Sequence, residues 1–151
     1  NEYHKADMRS FCVKAFEQIN ATGKVRLFKS YKAEYADGEQ MRDFLYVKDA
    51  VDMTLFFLDN PQLSGLFNIG TGKARTWNDL VKAVFAAMGK KPKIEYIEMP
   101  DSIRNQYQYF TEADITKLRK AGYNKKTTSL EDAIKDYVQN YLQKDEYLTG
   151  I

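Results

Sequence analysis

The chain has 151 residues, 44% hydrophobic and 29% charged, with a formal net charge of +2. That bounds it to about one domain of ordinary globular composition. The charge is too small to argue for a nucleic-acid or membrane partner, and no apolar run approaches the ~18 residues of a spanning helix. The single cysteine, Cys12, excludes an internal disulfide framework and suits a reducing compartment.

Along the chain, Met8, Phe11, Cys12, Ala15, Phe16 and Ile19 recur at helical spacing and predict a helix over 8–22, with Asp7 as N-cap and Gly23 as stop. VRLF (25–28) reads as a strand. The polar stretch 29–40 reads as a long loop turning at Asp37-Gly38. RDFLYV (42–47) alternates and is rich in β-formers, which predicts a strand. A helix follows over 48–60, with Val51, Leu55 and Leu58 on one face and Asn60-Pro61 closing it. LFNI (66–69) is strand-like, and GTG (70–72) turns the chain.

Thr76 and Asp79 form a capping-box pattern ahead of a helix carrying Trp77, Leu80, Val81, Val84, Phe85 and Met88, which stops at Gly89. IEYIEM (94–99) predicts a strand. Thr111 to Asp114 and Ser129 to Asp132 repeat the capping pattern, the second before a stripe of Leu130, Ala133, Ile134, Tyr137, Val138, Tyr141 and Leu142. Strands and helices alternate, so the fold class is α/β, with few and short strands and hence a small or incomplete sheet.

Few side chains point to chemistry unaided. GTG matches neither a P-loop nor a dinucleotide fingerprint, so a strand-to-helix turn is its plain reading. His4 is the only histidine. With one Cys and scattered carboxylates it makes no metal-ligand pattern. Cys12 lies on the apolar helix face, where cysteine is usually inert. Lys5 stands before a helix N-terminus, whose partial positive charge can ease loss of a proton; a solvated lysine is the plainer reading. Arg42 is placed either to clamp a phosphate or to pair with Asp43 or another carboxylate. Tyr107 lies in NQYQYF, a stretch suited to lining a cleft or to an amphipathic surface segment.

The ordered set RDFLYVKDAV, SGLFNIGTG and a T-W-x-x-L-capped helix resembles the C-terminal half of extended short-chain dehydrogenase/reductase enzymes that act on nucleotide sugars. NEYHKADM, LFKSYKAEYADGEQMRDF and IEYIEMPDSIRNQYQYFTEADITKLRKAGY sharpen this. Together they resemble the ADP-L-glycero-D-manno-heptose 6-epimerases of lipopolysaccharide core-sugar synthesis, over nearly the whole chain.

The resemblance implies that residues 1–151 are one substrate-binding domain, a fragment of a longer, cytoplasmic, homo-oligomeric enzyme. Its NADP-binding Rossmann domain, with the glycine fingerprint and the Tyr-x-x-x-Lys constellation, would precede Asn1. It implies oxidation and re-reduction at C6 of the heptose, with two acid/base groups. One is a tyrosine not in this sequence. The other is the lysine of the H-K motif, here Lys5, which also meets the cofactor. The positions matching substrate contacts are Asp7, Lys14, Phe28, Lys29, Ser30, Arg42 and Tyr107. Ala6 departs from the glycine common after the H-K pair. No metal is implied, and the fragment alone is expected to be inactive.

RDFLYV and LFNI, if built to dock on the missing domain, would leave apolar surface exposed. Two other readings stay open. One is another nucleotide-sugar epimerase or dehydratase of the superfamily, sharing RDFLYVKDAV and NIGTG without needing the H-K pair. The other is a binding module without catalysis.

Overall fold

The computed structural model describes residues 2–144; for Tyr3 and Asp7 it describes the backbone alone. Six α-helices and four short strands alternate among these residues, and the α/β class holds. Strand β1 (Val25–Phe28) pairs in parallel with β4 (Ile94–Ile97), Val25 opposite Ile94 and Phe28 opposite Ile97. Strand β2 (Met41–Arg42) pairs antiparallel with β3 (Arg75–Thr76). The sheets are thus two separate pairs.

The main core lies where α1 (Phe11–Thr22), α3 (Trp77–Ala87) and α6 (Leu130–Tyr137) pack on β1. Val25 and Leu27 alternate inward along β1 while Arg26 faces out, the period-two pattern of a half-buried strand. Val13, Ala15 and Ile19 of α1 meet Leu80, Val81, Val84 and Phe85 of α3, with Leu130 and Ile134 of α6 completing the cluster. Helix α6 runs on through a π-turn (Val138–Leu142) that keeps Val138 and Leu142 buried. A smaller cluster joins Met53 of α2 (Val47–Asp59) to Leu118 of α5 (Thr116–Lys120) and to Tyr123, with Phe56, Phe57 and Phe67 around it.

Local chemistry sets the ends of these elements. The expected box at α3 is present: Asp79 N–H donates to Thr76 Oγ1 at 3.0 Å, and Thr76 N–H to Asp79 Oδ2 at 3.3 Å. Ser129 caps α6 through the Asp132 N–H. Arg75 binds Asp79 and Glu131, tying the starts of α3 and α6 together. Gly23 ends α1, its N–H donating to Ile19 O.

Four expectations are corrected. The helix over 8–22 is a 3-10 segment (Tyr3–Met8) and then α1, separated by extended Arg9 and Ser10; Ser10, not Asp7, is the N-cap. RDFLYV is a strand only at Arg42, because Ala74, which would come opposite Asp43, gives its N–H to Glu112 at 2.7 Å instead. LFNI forms no strand. Its backbone is bound by side chains instead, Leu66 O accepting from Lys117 Nζ at 2.7 Å.

Thr111 to Asp114 does not cap a helix. Thr111 N–H goes to Met41 O and Ala113 N–H to Asp43, which holds this stretch extended until α5 begins at Thr116. Val51, Leu55 and Leu58 lie along one face of α2 as expected; that stripe is exposed, with Leu58 at 74%, whereas Met53 on another face is fully buried.

Candidate functional site

The residues expected at the site fall into three groups. In the first, β1 ends at Phe28, β2 places Arg42, and the segment after α4 (Asp101–Arg104) brings in Tyr107. The Tyr107 ring meets Phe28 edge-on at 6.2 Å and Tyr109 at 5.6 Å. The Arg42 guanidinium lies 5.4 Å from the Tyr107 ring and 5.8 Å from the Trp77 ring. A planar cation this near two rings is held at the energy of cation–π contacts, about 0.5–2 kcal/mol each. It donates to Met41 O at 2.7 Å and to Gln108 O. Two of its groups are thus anchored, and the remaining donors can serve an anion. It does not pair with Asp43. Burial raises the Tyr107 phenol above its ordinary range, with the Arg42 charge and the Trp77 indole opposing, so Tyr107 stays a neutral donor.

The second group flanks the first. Lys29 binds Glu98 at 2.6 Å, a contact that raises the lysine and lowers the carboxylate. Tyr31 joins Glu98 through its hydroxyl and lies under Arg104, 4.0 Å from guanidinium to ring centre. Ser30 shapes the loop: its N–H donates to Asp37 Oδ1 at 2.7 Å and its hydroxyl to Lys32 O at 3.0 Å. Fully buried Gln40 reaches toward the carbonyls of Phe28 and Lys29.

The third group is the Lys5 segment. Lys5 Nζ lies 3.6 Å from Glu2 Oε2 and is half-exposed. Lys14 sits half-buried on α1. The side chain of Asp7 lies outside the described residues. Phe11, the first residue of α1, meets Trp77 at 5.1 Å, so the helix that follows the Lys5 segment abuts the ring that flanks Arg42.

Sequence reasoning missed Trp77, Gln40 and Asp43. Trp77 read as one more core position of α3. Asp43 accepts the N–H groups of Thr71 at 2.9 Å, Gly72 at 3.0 Å and Ala113 at 3.1 Å. Those are the amides a bound phosphate would need from the GTG turn. A Cβ on Gly70 would come within 2.4 Å of the Ala113 Cβ and 2.7 Å of Asp43 Oδ2. The turn is therefore closed by its own carboxylate, and the described residues offer no cradle there for dinucleotide phosphates. A cleft of about 450 Å³ opens beside it, lined by Asp43, Phe67, Ile69 and Thr111 among others.

Cys12 is buried and its thiol is pushed up to about 12 by that burial, which leaves it unreactive. Among the described residues no three His, Cys, Asp or Glu side chains gather as a metal site. No described helix is long and apolar enough to cross a membrane.

Comparison with known proteins decides the kinship. Residues 2–70 match the model of the NAD dependent epimerase/dehydratase family. The ADP-L-glycero-D-manno-heptose-6-epimerase of Nitratidesulfovibrio vulgaris (strain DP4) is 58% identical over 94% of this chain. The chain is a relative of the ADP-L-glycero-D-manno-heptose-6-epimerases.

A Fusobacterium nucleatum 6-epimerase agrees, at 51% identity over 97% of the chain. The Helicobacter pylori 6-epimerase crystal structure superposes with a TM-score of 0.74 over 92% of the chain and 40% of its own, at 27% identity. A UDP-N-acetylglucosamine 4-epimerase from Methanobrevibacter ruminantium shares the fold at TM-score 0.75 and 19% identity. The chain spans 44% and 46% of the two curated 6-epimerases, less than half of each.

Proposed function

We propose that this chain is the substrate-binding portion of a longer enzyme that interconverts ADP-D-glycero- and ADP-L-glycero-D-manno-heptose by oxidation and re-reduction at C6. The observation that carries the reading is the 58% identity over 94% of the chain to a 6-epimerase. In this reading Arg42 faces the diphosphate of the ADP-sugar, held beside the Trp77 and Tyr107 rings, with Phe28 and Tyr107 forming an apolar and hydroxyl wall beside it. Lys29 and Ser30 extend that wall, and Lys14 and Asp7 are assigned to the substrate from the sequence alone.

Lys5 is one of the two acid/base groups at C6, the other being a tyrosine outside this sequence. Oxidation removes the hydroxyl proton, and re-reduction on the other face returns one. Lys5 can take that proton only as the free amine and return one as the ammonium, and its half-exposed side chain leaves it open to such exchange. The hydride chemistry belongs to a nicotinamide cofactor, NADP, which we assign mainly to a Rossmann domain elsewhere in the protein, with Lys5 as the contact from this chain. The closed GTG turn supports that division. The exposed stripe of Val51, Leu55 and Leu58 supports a further part of the protein packing on α2. Homo-oligomerisation and a place in the cytoplasm, in lipopolysaccharide core-sugar synthesis, go with the same reading.

The test is a substrate panel. The gene product carrying this sequence is incubated with each ADP-heptose epimer and with UDP- and dTDP-hexoses, and the products are separated chromatographically. Interconversion of the ADP-heptoses is expected. Turnover of a UDP- or dTDP-sugar with the ADP-heptoses untouched would overturn the reading. The 151-residue chain alone is expected to epimerise nothing, and activity of that piece would refute the two-part division.

A further inference from the structure

The Lys5 segment is held from one residue. Glu2 O accepts the Lys5 N–H at 2.9 Å, which fixes the lysine's backbone. Glu2 Oε2 accepts the Ser10 N–H at 2.8 Å and lies 3.6 Å from Lys5 Nζ. Its other oxygen, Oε1, accepts from the Tyr137 hydroxyl of α6 at 3.3 Å. Glu2 is only 19% exposed and so is far better buried than the lysine it faces, at 47%. Burial pushes the Glu2 carboxyl up, but the Ser10 hydrogen bonds, the Lys5 charge and the Tyr137 hydroxyl outweigh it and hold the group ionised.

The backbone that follows needs such an anchor. Ala6 sits at φ 44° and ψ −122°, a conformation that residues with a Cβ rarely adopt. Strain of this kind persists only where neighbours over-determine the chain. Here Glu2 pins it from the N-terminal side. Arg9 pins it from the other side, donating to Ala6 O at 2.7 Å and pairing with Glu17 of α1.

We propose that Glu2 is the positioning residue for Lys5, tying the reactive lysine at once to the start of α1 and to α6. The carboxylate acts through geometry. It joins three elements of the chain at one point, so the Lys5 ammonium enters the site from a fixed direction. This rests on Lys5 being one of the two acid/base groups. The test therefore uses a cycle that separates the two claims.

Glu2→Ala, Glu2→Gln, Lys5→Met and the double variant Glu2→Ala/Lys5→Met are made in the full gene product with its cofactor, and kcat and KM for ADP-heptose are measured. Misplacing a catalytic group by about 1 Å costs up to about a hundredfold. Glu2→Ala is expected to lower kcat about tenfold or more, with KM within about twofold. Glu2→Gln keeps the oxygen that the Ser10 N–H needs and is expected to stay within about threefold of wild type. In the Lys5→Met background Glu2→Ala is expected to change nothing further, because residues acting as a unit are not additive.

Wild-type kcat in Glu2→Ala would overturn the proposal. So would a Gln variant as slow as Ala, an equal Glu2→Ala effect in the Lys5→Met background, or loss of a cooperative melt in Glu2→Ala. Normal activity of Lys5→Met would instead strike at the reading beneath it.

Discussion

Ala6 and Arg42 carry the most informative single-residue chemistry. Ala6 holds a backbone that glycine adopts freely. Ala6→Gly should relieve strain of about 1–3 kcal/mol and return some of it as unfolded-state entropy, for a net gain of about 1 kcal/mol. Urea melts of the two proteins check this, and a loss of stability would show the turn to be unstrained. At Arg42 the geometry depends on a planar guanidinium beside two rings. Arg42→Lys keeps the charge and loses both the guanidinium–ring contacts and the bidentate fork. It should raise KM for the ADP-sugar about tenfold, with a melt close to wild type. Unchanged KM would remove Arg42 from the substrate site.

The elements show which sequence signals survive folding. The N-caps at Thr76 and Ser129 were legible because a cap is settled within four residues. The same pattern at Thr111 failed because that stretch is bound by Met41 and Asp43, some 70 residues earlier in the chain. RDFLYV has β-forming residues and lacks a partner strand beyond Arg42, and propensity does not supply a partner.

Long-range ties of this kind also hold α6 to α2. Asp136 accepts from Lys48 at 2.7 Å, from Asn140 at 2.7 Å and from the Tyr46 hydroxyl. These bonds hold its carboxyl down at about 2, against an ordinary value of 3.8. A carboxylate depressed on folding stabilises above its unfolded value, and that stability is lost as pH falls through the folded one. Asp136→Asn should therefore melt below wild type at pH 7, with the gap closing as pH falls from about 4 through about 2. A gap that stayed constant over that window would contradict the ion-pair account.

At the scale of the whole molecule, the α/β class was readable, but which face of α2 is buried was not. Val51, Leu55 and Leu58 have core-like spacing, and so do Met53, Phe56 and Phe57; only packing on Leu118 and Tyr123 selects the second set. Trp77 was invisible as a site residue for a similar reason, since its spacing on α3 is that of a core position. The unselected stripe on α2 makes the 151-residue chain by itself a sticky molecule. That chain should bind an apolar fluorescent dye, and Leu55→Lys with Leu58→Lys should reduce the signal at little cost in stability. Dye binding unaffected by the pair would place the exposed apolar surface elsewhere.

The measurement that bears most directly on the central claim is epimerisation by the full gene product, wild type beside Lys5→Met, followed from each ADP-heptose epimer to equilibrium. The account predicts that the wild type reaches the same epimer ratio from both sides. Lys5→Met should keep a wild-type melt and lose at least about a hundredfold in kcat, the usual contribution of a positioned acid/base group. Wild-type turnover by Lys5→Met would contradict it.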